Sequence, residues 1–406
     1  MTELEKMGLV HNWGSLDLSK KKGEIKILDT SLRDGLQDPS ITQPKLSEKL
    51  KLVELFSKVG IDAADIGFPV SSEFHKKEVI ETAKHIVKNK LGIKICVLAR
   101  TQPADIKAAI EVSQKAGCPV EAITIIGSSK VRHFVEKWDY KQIKKWIKES
   151  VQTAVKNGLE VNFLTEDGTR TEPKVIKELY LLAIDSGATI VTLADTVGAA
   201  NPLNAFKMVK FLKDNVIKDK NIIIDWHGHN DRDMATTNSL WALRAGAQRA
   251  HVTVLGIGER AGNSAMEPLL FNLQMEDAIN KNLKYLQDLT DYSSKIFKIN
   301  IPNNFPGIGK SVHSTAVGIH ASAIMKARNI NREDLANTVY SGVDAQMFGR
   351  KTEIYIGPLS GKANALYVLP KLKIKPTEEN IQKVLDYSRN KNVILKEEEI
   401  KKILKP

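Results

Sequence analysis

His227 and His229 stand two residues apart in the run Asp225-Trp226-His227-Gly228-His229-Asn230-Asp231. The residues leading into it, Asn221-Ile222-Ile223-Ile224-Asp225-Trp226, have the apolar, β-branched character of a buried strand. Side chains alternate along a strand, so histidines at i and i+2 leave it on one side. Imidazoles so placed can grip a divalent ion, although a His-x-His pair by itself arises as readily on any strand face. A carboxylate joining them would decide between the two readings. The place to seek it is Asp29-Thr30-Ser31-Leu32-Arg33-Asp34-Gly35, which closes the short apolar run 25–28. Two histidines and one aspartate leave coordination positions open, which suits catalysis better than structure.

Elements must bring these distant residues together. From residue 25 the chain repeats one pattern eight times: a short run rich in Val, Ile and Ala, a polar turn, then an amphipathic helix. The runs predict strands at 25–29, 62–68, 94–99, 122–127, 160–165, 190–195, 221–227 and 251–256. The helical periods fall at 46–59, 72–88, 104–116, 141–156, 174–186, 203–216, 236–245 and 266–272. Eight β/α units in about 250 residues predict an α/β fold of the TIM (β/α)8 barrel type. No Gly-x-Gly-x-x-Gly follows the first strand, which weighs against a doubly wound open sheet.

Gly60, Gly117, Gly158, Gly187 and Gly246 follow the helices and read as helix stops. The opposite, carboxyl ends of the strands are where a barrel does its chemistry. There the sequence puts Arg33 and Asp34, Glu166 and Asp167, Asp195 and Thr196, His227 and His229, and Glu259, Arg260 and Asn263. Solubility alone does not explain such clustering. After about residue 300 the pattern changes: Pro302, Pro306, Gly307 and Gly309 make a loop-rich passage. A mainly helical accessory region follows, ending in a charged helical stretch at 377–405.

The 42% hydrophobic content of the 406 residues is ample for a buried core. Nothing approaches eighteen consecutive apolar residues, and segment 1–22 lacks the apolar centre of a secretory signal, so a cytoplasmic protein without a membrane partner is expected. Cys96 in an apolar run and Cys118 after a helix fit small core residues of a reducing compartment. The net charge of +12 invites a nucleic-acid reading. However, Lys141, Lys144, Lys145 and Lys148 are spread along one helix without interleaved aromatics, so a solvated face is expected and no nucleic-acid partner. The positive balance can also draw in an anionic substrate.

At this point the motifs resemble a known family. Asp29-Thr30-Ser31-Leu32-Arg33-Asp34-Gly35-Leu36-Gln37 resembles the D-x-T-L-R-D-G-x-Q signature. His227-Gly228-His229-Asn230-Asp231 and Gly256-Ile257-Gly258-Glu259-Arg260-Ala261-Gly262-Asn263 resemble H-x-H-N-D and G-x-G-E-R-x-G-N. Together they mark the metal-dependent Claisen-condensing acyltransferases, the 2-isopropylmalate, homocitrate and citramalate synthases. The resemblance extends through Thr165-Glu166-Asp167, Ala194-Asp195-Thr196-Val197-Gly198, Gly318-Ile319-His320 and Ser360-Gly361-Lys362, so it covers residues 25 to about 365.

The resemblance implies that Asp34, His227 and His229 hold a divalent ion (Zn, Mn or Mg), with Asn263 a weaker fourth ligand. The reaction it implies condenses acetyl-CoA, as co-substrate, with a 2-oxoacid (2-oxoisovalerate, pyruvate or a bulkier one), then hydrolyses the thioester to a 2-substituted malate and free CoA. Arg33 would face the developing alkoxide, with Gln37 and Thr196 among the substrate-binding groups. The acetyl methyl is a weak acid and needs a base, which the family pattern makes His320, oriented by Glu166, with Tyr340 as a donor to the thioester. On their own, His320 and Tyr340 would read equally well as packed core residues. In such enzymes the segment beyond the barrel crosses to a neighbouring subunit. The expectation is therefore a barrel at 25–290, an accessory region at 300–406 that completes the partner's site, and a homodimer.

Three departures matter. Homocitrate synthases carry an arginine for the distal carboxylate of 2-oxoglutarate, and Asn162 holds that position here, against a dicarboxylic acceptor. The family's G-I-H-x-D or G-I-H-x-K continues here as His320-Ala321-Ser322, without the helper. No leucine-sensing domain is expected in a chain ending at Pro406. The opposing enzyme class is a lyase like 3-hydroxy-3-methylglutaryl-CoA lyase, which carries a loop cysteine where this chain has Gly258-Glu259-Arg260-Ala261-Gly262.

Overall fold

Several helix ends follow the chain's own punctuation. Pro103, Pro173 and Pro202 each open a helix, where a fixed φ and a missing N–H cost nothing. Ser72 and Asp139 start two more by accepting backbone N–H groups of the first turn. Gly60 ends helix Leu46–Val59 at φ 91°, a left-handed conformation that a side chain would strain. In a computed structural model, residues 3–404 apart from Asp219 are described.

Eight strands alternate with these helices: β1 (Lys26–Asp29), β2 (Ala63–Asp65), β3 (Lys94–Arg100), β4 (Glu121–Gly127), β5 (Glu160–Glu166), β6 (Ile190–Asp195), β7 (Ile223–Gly228) and β8 (Arg249–Val252). All neighbours pair in parallel, and β1 pairs with β8 from Lys26↔Arg249 to Asp29↔Val252, closing a TIM barrel. No described helix is long and apolar enough to cross a membrane.

Strand limits differ from expectation where the backbone turns early. β8 stops at Val252, before the predicted 256, because Leu255 and Gly256 take left-handed φ of 58° and 68°. β2 is only three residues, since Gly67 (φ 144°) and Pro69 bend the chain away. Helix Pro202–Leu212 loosens into a wide π turn at Lys213–Ile217 instead of running regularly to 216. Helices Lys130–Glu136 and Leu286–Phe297 were not expected. The second packs beside helix Leu46–Val59, with Tyr292 donating to the Glu48 carbonyl.

The barrel interior holds two kinds of lining. Leu28, Ala63, Cys96, Leu98, Ile123, Leu164 and Ala194 form an apolar cluster. Glu121, Asn162, Thr192, Asp225, Arg249 and His251 form a buried polar one. Register explains the division: Thr192↔Asp225 and Ala194↔His227 are paired neighbours, so their side chains share the inner face. Both cysteines are free thiols, and Cys96 is fully buried.

The chain divides into two compact units, the first ending at Ile299 and the second beginning at Asn300. Within the second, strands Ser314–Thr315 and Glu353–Ile354 pair in parallel. Helices Gly318–Asn329 and Glu333–Thr338 pack with Ile354 around Ala321, Ile324 and Ala336. The terminal stretch is two helices, Glu378–Lys391 and Glu397–Ile403, because Asn392 turns left-handed (φ 52°) and Leu395 tucks under Ile356. Lys405 lies outside the described residues.

Candidate metal centre and active site

Asp34 follows β1 on a tight turn in which Asp34 and Gly35 both donate backbone N–H groups to the Thr30 carbonyl. The turn folds the Asp34 carboxylate back over the barrel mouth, beside the end of β7. There Asp34 Oδ2 lies 3.2 Å from His227 Nε2 and 3.6 Å from His229 Nε2, and the two Nε2 atoms are 3.4 Å apart. One ligand atom from each residue falls within a 4.8 Å set, and all three residues are buried.

The electrostatics suit a cation. Burial opposes ionisation of Asp34, yet Arg33 and the two histidines hold its carboxyl well below the usual carboxylate range. Burial lowers His227, and burial with the neighbouring His227 pushes His229 down to about 4, so both imidazoles keep a free lone pair near neutrality. Asp34 Oδ1 and Asn263 Oδ1 are buried acceptors with no hydrogen-bond partner among the described residues. Unpaired buried acceptors are costly unless a cation or water satisfies them. The donor set therefore fits a divalent ion.

Asn263 reaches this position through a loop that tolerates glycine alone at two points. A Cβ on Gly258 (φ 146°) would come 2.1 Å from Asn263 Nδ2, and one on Gly262 (φ 84°) 1.9 Å from the Gly256 carbonyl oxygen. Arg260, a candidate for chemistry in the sequence, ties loops together: it bonds both carboxylate oxygens of Asp231, at 2.8 and 3.1 Å, and the Thr196 carbonyl at 2.5 Å. Glu259 is drawn to the same guanidinium at 3.4 Å. The Thr196 hydroxyl accepts the Asp167 N–H, while Asp195 accepts from Thr169, Ala199 and Ala200 and its carbonyl from the His229 N–H.

Arg33 is buried between two carboxylates, 3.1 Å from Asp34 and 2.7 Å from Asp65. Burial raises Asp65 to about 6 in spite of that contact. Beside it opens a crevice of about 300 Å³, lined by Arg33, Gln37, Ile66, Phe68 and His75 among others. Glu166 ends β5 and lies 2.8 Å from Arg132 Nε, a close ion pair without the alignment of a hydrogen bond. Burial raises its pKa, and Arg132 pulls it back. Arg132 was missed in the sequence; its signal was the Ser128-Ser129 cap at the end of β4, which starts a helix and sets Arg132 one turn in.

Asn162 has no capacity left for a ligand's carboxylate. Its amide N donates to Glu121 and Asp225, and its oxygen accepts from Thr192. In the second unit the His320 and Tyr340 rings stack with centroids 3.8 Å apart. Gly318 packs against Gly361 so closely that a Cβ would meet the Gly361 nitrogen at 2.9 Å, joining two motifs forty residues apart in sequence.

A closed β/α barrel with an Asp-His-His cluster and a glycine-locked loop at its mouth defines a TIM-barrel enzyme with a candidate metal centre. Residues 24–296 match the HMGL-like family model, and the chain belongs to that family, on its synthase side. A 2-isopropylmalate synthase of Pyrococcus furiosus is 32% identical over 370 residues, covering 89% of this chain and 71% of the relative. A Methanopyrus kandleri protein provisionally named as an (R)-citramalate synthase is 30% identical, covering 89% and 68%. Among solved structures, the HMG-CoA lyase of Bacillus subtilis superposes with a TM-score of 0.60 at 21% identity, over 70% of this chain and 96% of that one. That likeness is one of fold.

Proposed function

We propose that this protein is an acyltransferase that condenses acetyl-CoA with a 2-oxoacid and hydrolyses the thioester, releasing a 2-substituted malate and CoA. The observation that carries the reading is the Asp34, His227 and His229 grip in a synthase-like chain. A divalent ion bound there (zinc, manganese or magnesium) would act as a Lewis acid on the ketone of the 2-oxoacid. Asp34 and the two neutral imidazoles would hold it, with the Asn263 carbonyl oxygen as a fourth donor. Arg33, fixed by Asp34 and Asp65, sets positive charge where the ketone oxygen becomes an alkoxide. Gln37 lines the crevice beside Arg33, and Thr196 keeps a hydroxyl proton for the substrate.

The acetyl methyl proton passes to His320, which Glu166 orients, and Tyr340 donates to the thioester oxygen. The carbanion then forms the carbon–carbon bond to the ketone carbon, the alkoxide takes up a proton, and water cleaves the thioester to a carboxylic acid and free CoA. His320 and Tyr340 belong to the second unit, 300–406, which in this reading completes the site of a partner subunit in a cytoplasmic homodimer. The Asn162 amide, wholly taken up by Glu121, Asp225 and Thr192, supports an acceptor without a distal carboxylate. Cys96 and Cys118 are the only cysteines, so the 256–263 loop has none for a lyase mechanism.

The test is thiol release from acetyl-CoA against a panel of 2-oxoacids, beside cleavage of 3-hydroxy-3-methylglutaryl-CoA. CoA release with pyruvate or 2-oxoisovalerate, and little with 2-oxoglutarate, is expected. No release with any 2-oxoacid, together with acetoacetate from the hydroxymethylglutaryl thioester, would make the protein a lyase.

A further inference from the structure

Next to the metal grip lies a polar cluster that the chemistry above leaves unused. Asp225 and His251 are 0% and 1% exposed, and they face inward from β7 and β8. Arg249 bridges Asp225 Oδ2, at 2.6 and 2.8 Å, to both oxygens of Glu121, at 2.5 and 2.9 Å. Lys94 adds a second cation 3.0 Å from Glu121. Lys94 is shared with the partly exposed Glu160, 2.7 Å away, so three carboxylates meet two cations.

His251 Nε2 lies 3.0 Å from Asp225 Oδ2. A carboxylate held by arginine only accepts, so Nε2 carries the proton and His251 Nδ1 keeps a lone pair. The ring stands edge-to-face with that of His227, centroids 5.4 Å apart at 71°. Nδ1 of His227, Nδ1 of His251 and Asp225 Oδ1 are all buried, and none has a hydrogen-bond partner among the described residues. His227 directs Nε2 at Asp34, so an ion held there leaves the proton on His227 Nδ1. A metal-ligating histidine is fixed by what takes that proton. Here the His251 lone pair and Asp225 Oδ1 are the acceptors left free, and one buried water, which needs two to four polar partners, would join them to His227.

We propose that His251 is a positioning residue for the metal centre. The Glu121–Arg249–Asp225 clamp sets its ring, and its Nδ1 receives the His227 Nδ1–H through one buried water, which fixes the tautomer and aim of His227. The inference rests on the reading of Asp34, His227 and His229 as ligands, and it extends the site by a histidine that does not itself touch ion or substrate.

The experiment titrates manganese(II) alone into the metal-stripped full chain. His251→Phe keeps a ring without an acceptor, whereas His251→Gln can still donate to Asp225 and accept from His227. The expected result is that affinity falls about 10–100-fold in His251→Phe, the usual cost of losing such support, and that His251→Gln restores most of it. Should the phenylalanine variant fail to fold, His251→Leu takes its place: it offers no acceptor to His227, and the same loss is expected. Wild-type affinity in the impaired variant, or a glutamine variant as weak as phenylalanine, would overturn the positioning role while leaving the ligands standing. A wild-type chain that binds no ion would overturn the ligand reading and this role together.

Discussion

Arg33 lies between two buried carboxylates, and that placement joins a structural duty to a chemical one. Removing it leaves the buried Asp65 without a cation, a change that costs about 3–5 kcal/mol for buried pairs. The lost charge opposite the alkoxide should cost a further factor of about 100–1,000 in kcat. Arg33→Ala is therefore expected to lower both urea stability and turnover. Arg33→Lys separates the two effects, because an ammonium keeps a charge in the pocket but cannot fork to both carboxylates and the substrate. Its stability should recover further than its kcat, measured by denaturation and by thiol release. A lysine variant with wild-type kcat would assign Arg33 to structure alone.

At the scale of elements, the loops after β6, β7 and β8 behave as one body. Arg260 ties Asp231 to Thr196, Asn230 donates its N–H to the Gly262 carbonyl, and Gly262 leaves no space for a methyl group. Gly262→Ala forces both a left-handed backbone and a clash with the Gly256 carbonyl, so a loss of more than about 2 kcal/mol is expected. Chemical denaturation checks this, and an unchanged midpoint would show that the loop can reshape.

The eight β/α units were legible because period-2 and period-3.6 patterns alternate so regularly, and helix Leu46–Val59 appears with the predicted limits. The end of β8 was not, since left-handed Leu255 is a backbone choice that its side chain does not announce. His227, His229 and Asp34 could be named from motif and alternation. The Glu121–Arg249–Asp225 cluster could not: each charge sits alone in its own strand, and only barrel closure brings the three together. His320 and Tyr340 came from resemblance alone, because nothing local links residues twenty apart across a helix end.

At the scale of the molecule, the net charge of +12 is partly matched by local ion pairs. Lys144 pairs with Glu178 and Lys145 approaches Glu149 on the helix that looked most basic, and exposed pairs of this kind contribute at most about 1 kcal/mol each. The proposed sharing of His320 between subunits makes a sharper claim. Inactive Asp34→Ala and inactive His320→Ala proteins, mixed so that subunits exchange, should regain activity, because both defects fall in one site of the heterodimer and leave the other intact. Heterodimers seen by mass measurement without recovered thiol release would place the base in its own subunit.

The metal centre itself is tested by ion content per chain, measured on the wild type and on the His227→Ala, His229→Ala double variant after equilibration with zinc or manganese. One ion per wild-type chain and essentially none in the variant is the expected result, with thiol release lost in parallel. Full occupancy in the double variant would contradict the assignment of Asp34, His227 and His229, and with it the proposed chemistry.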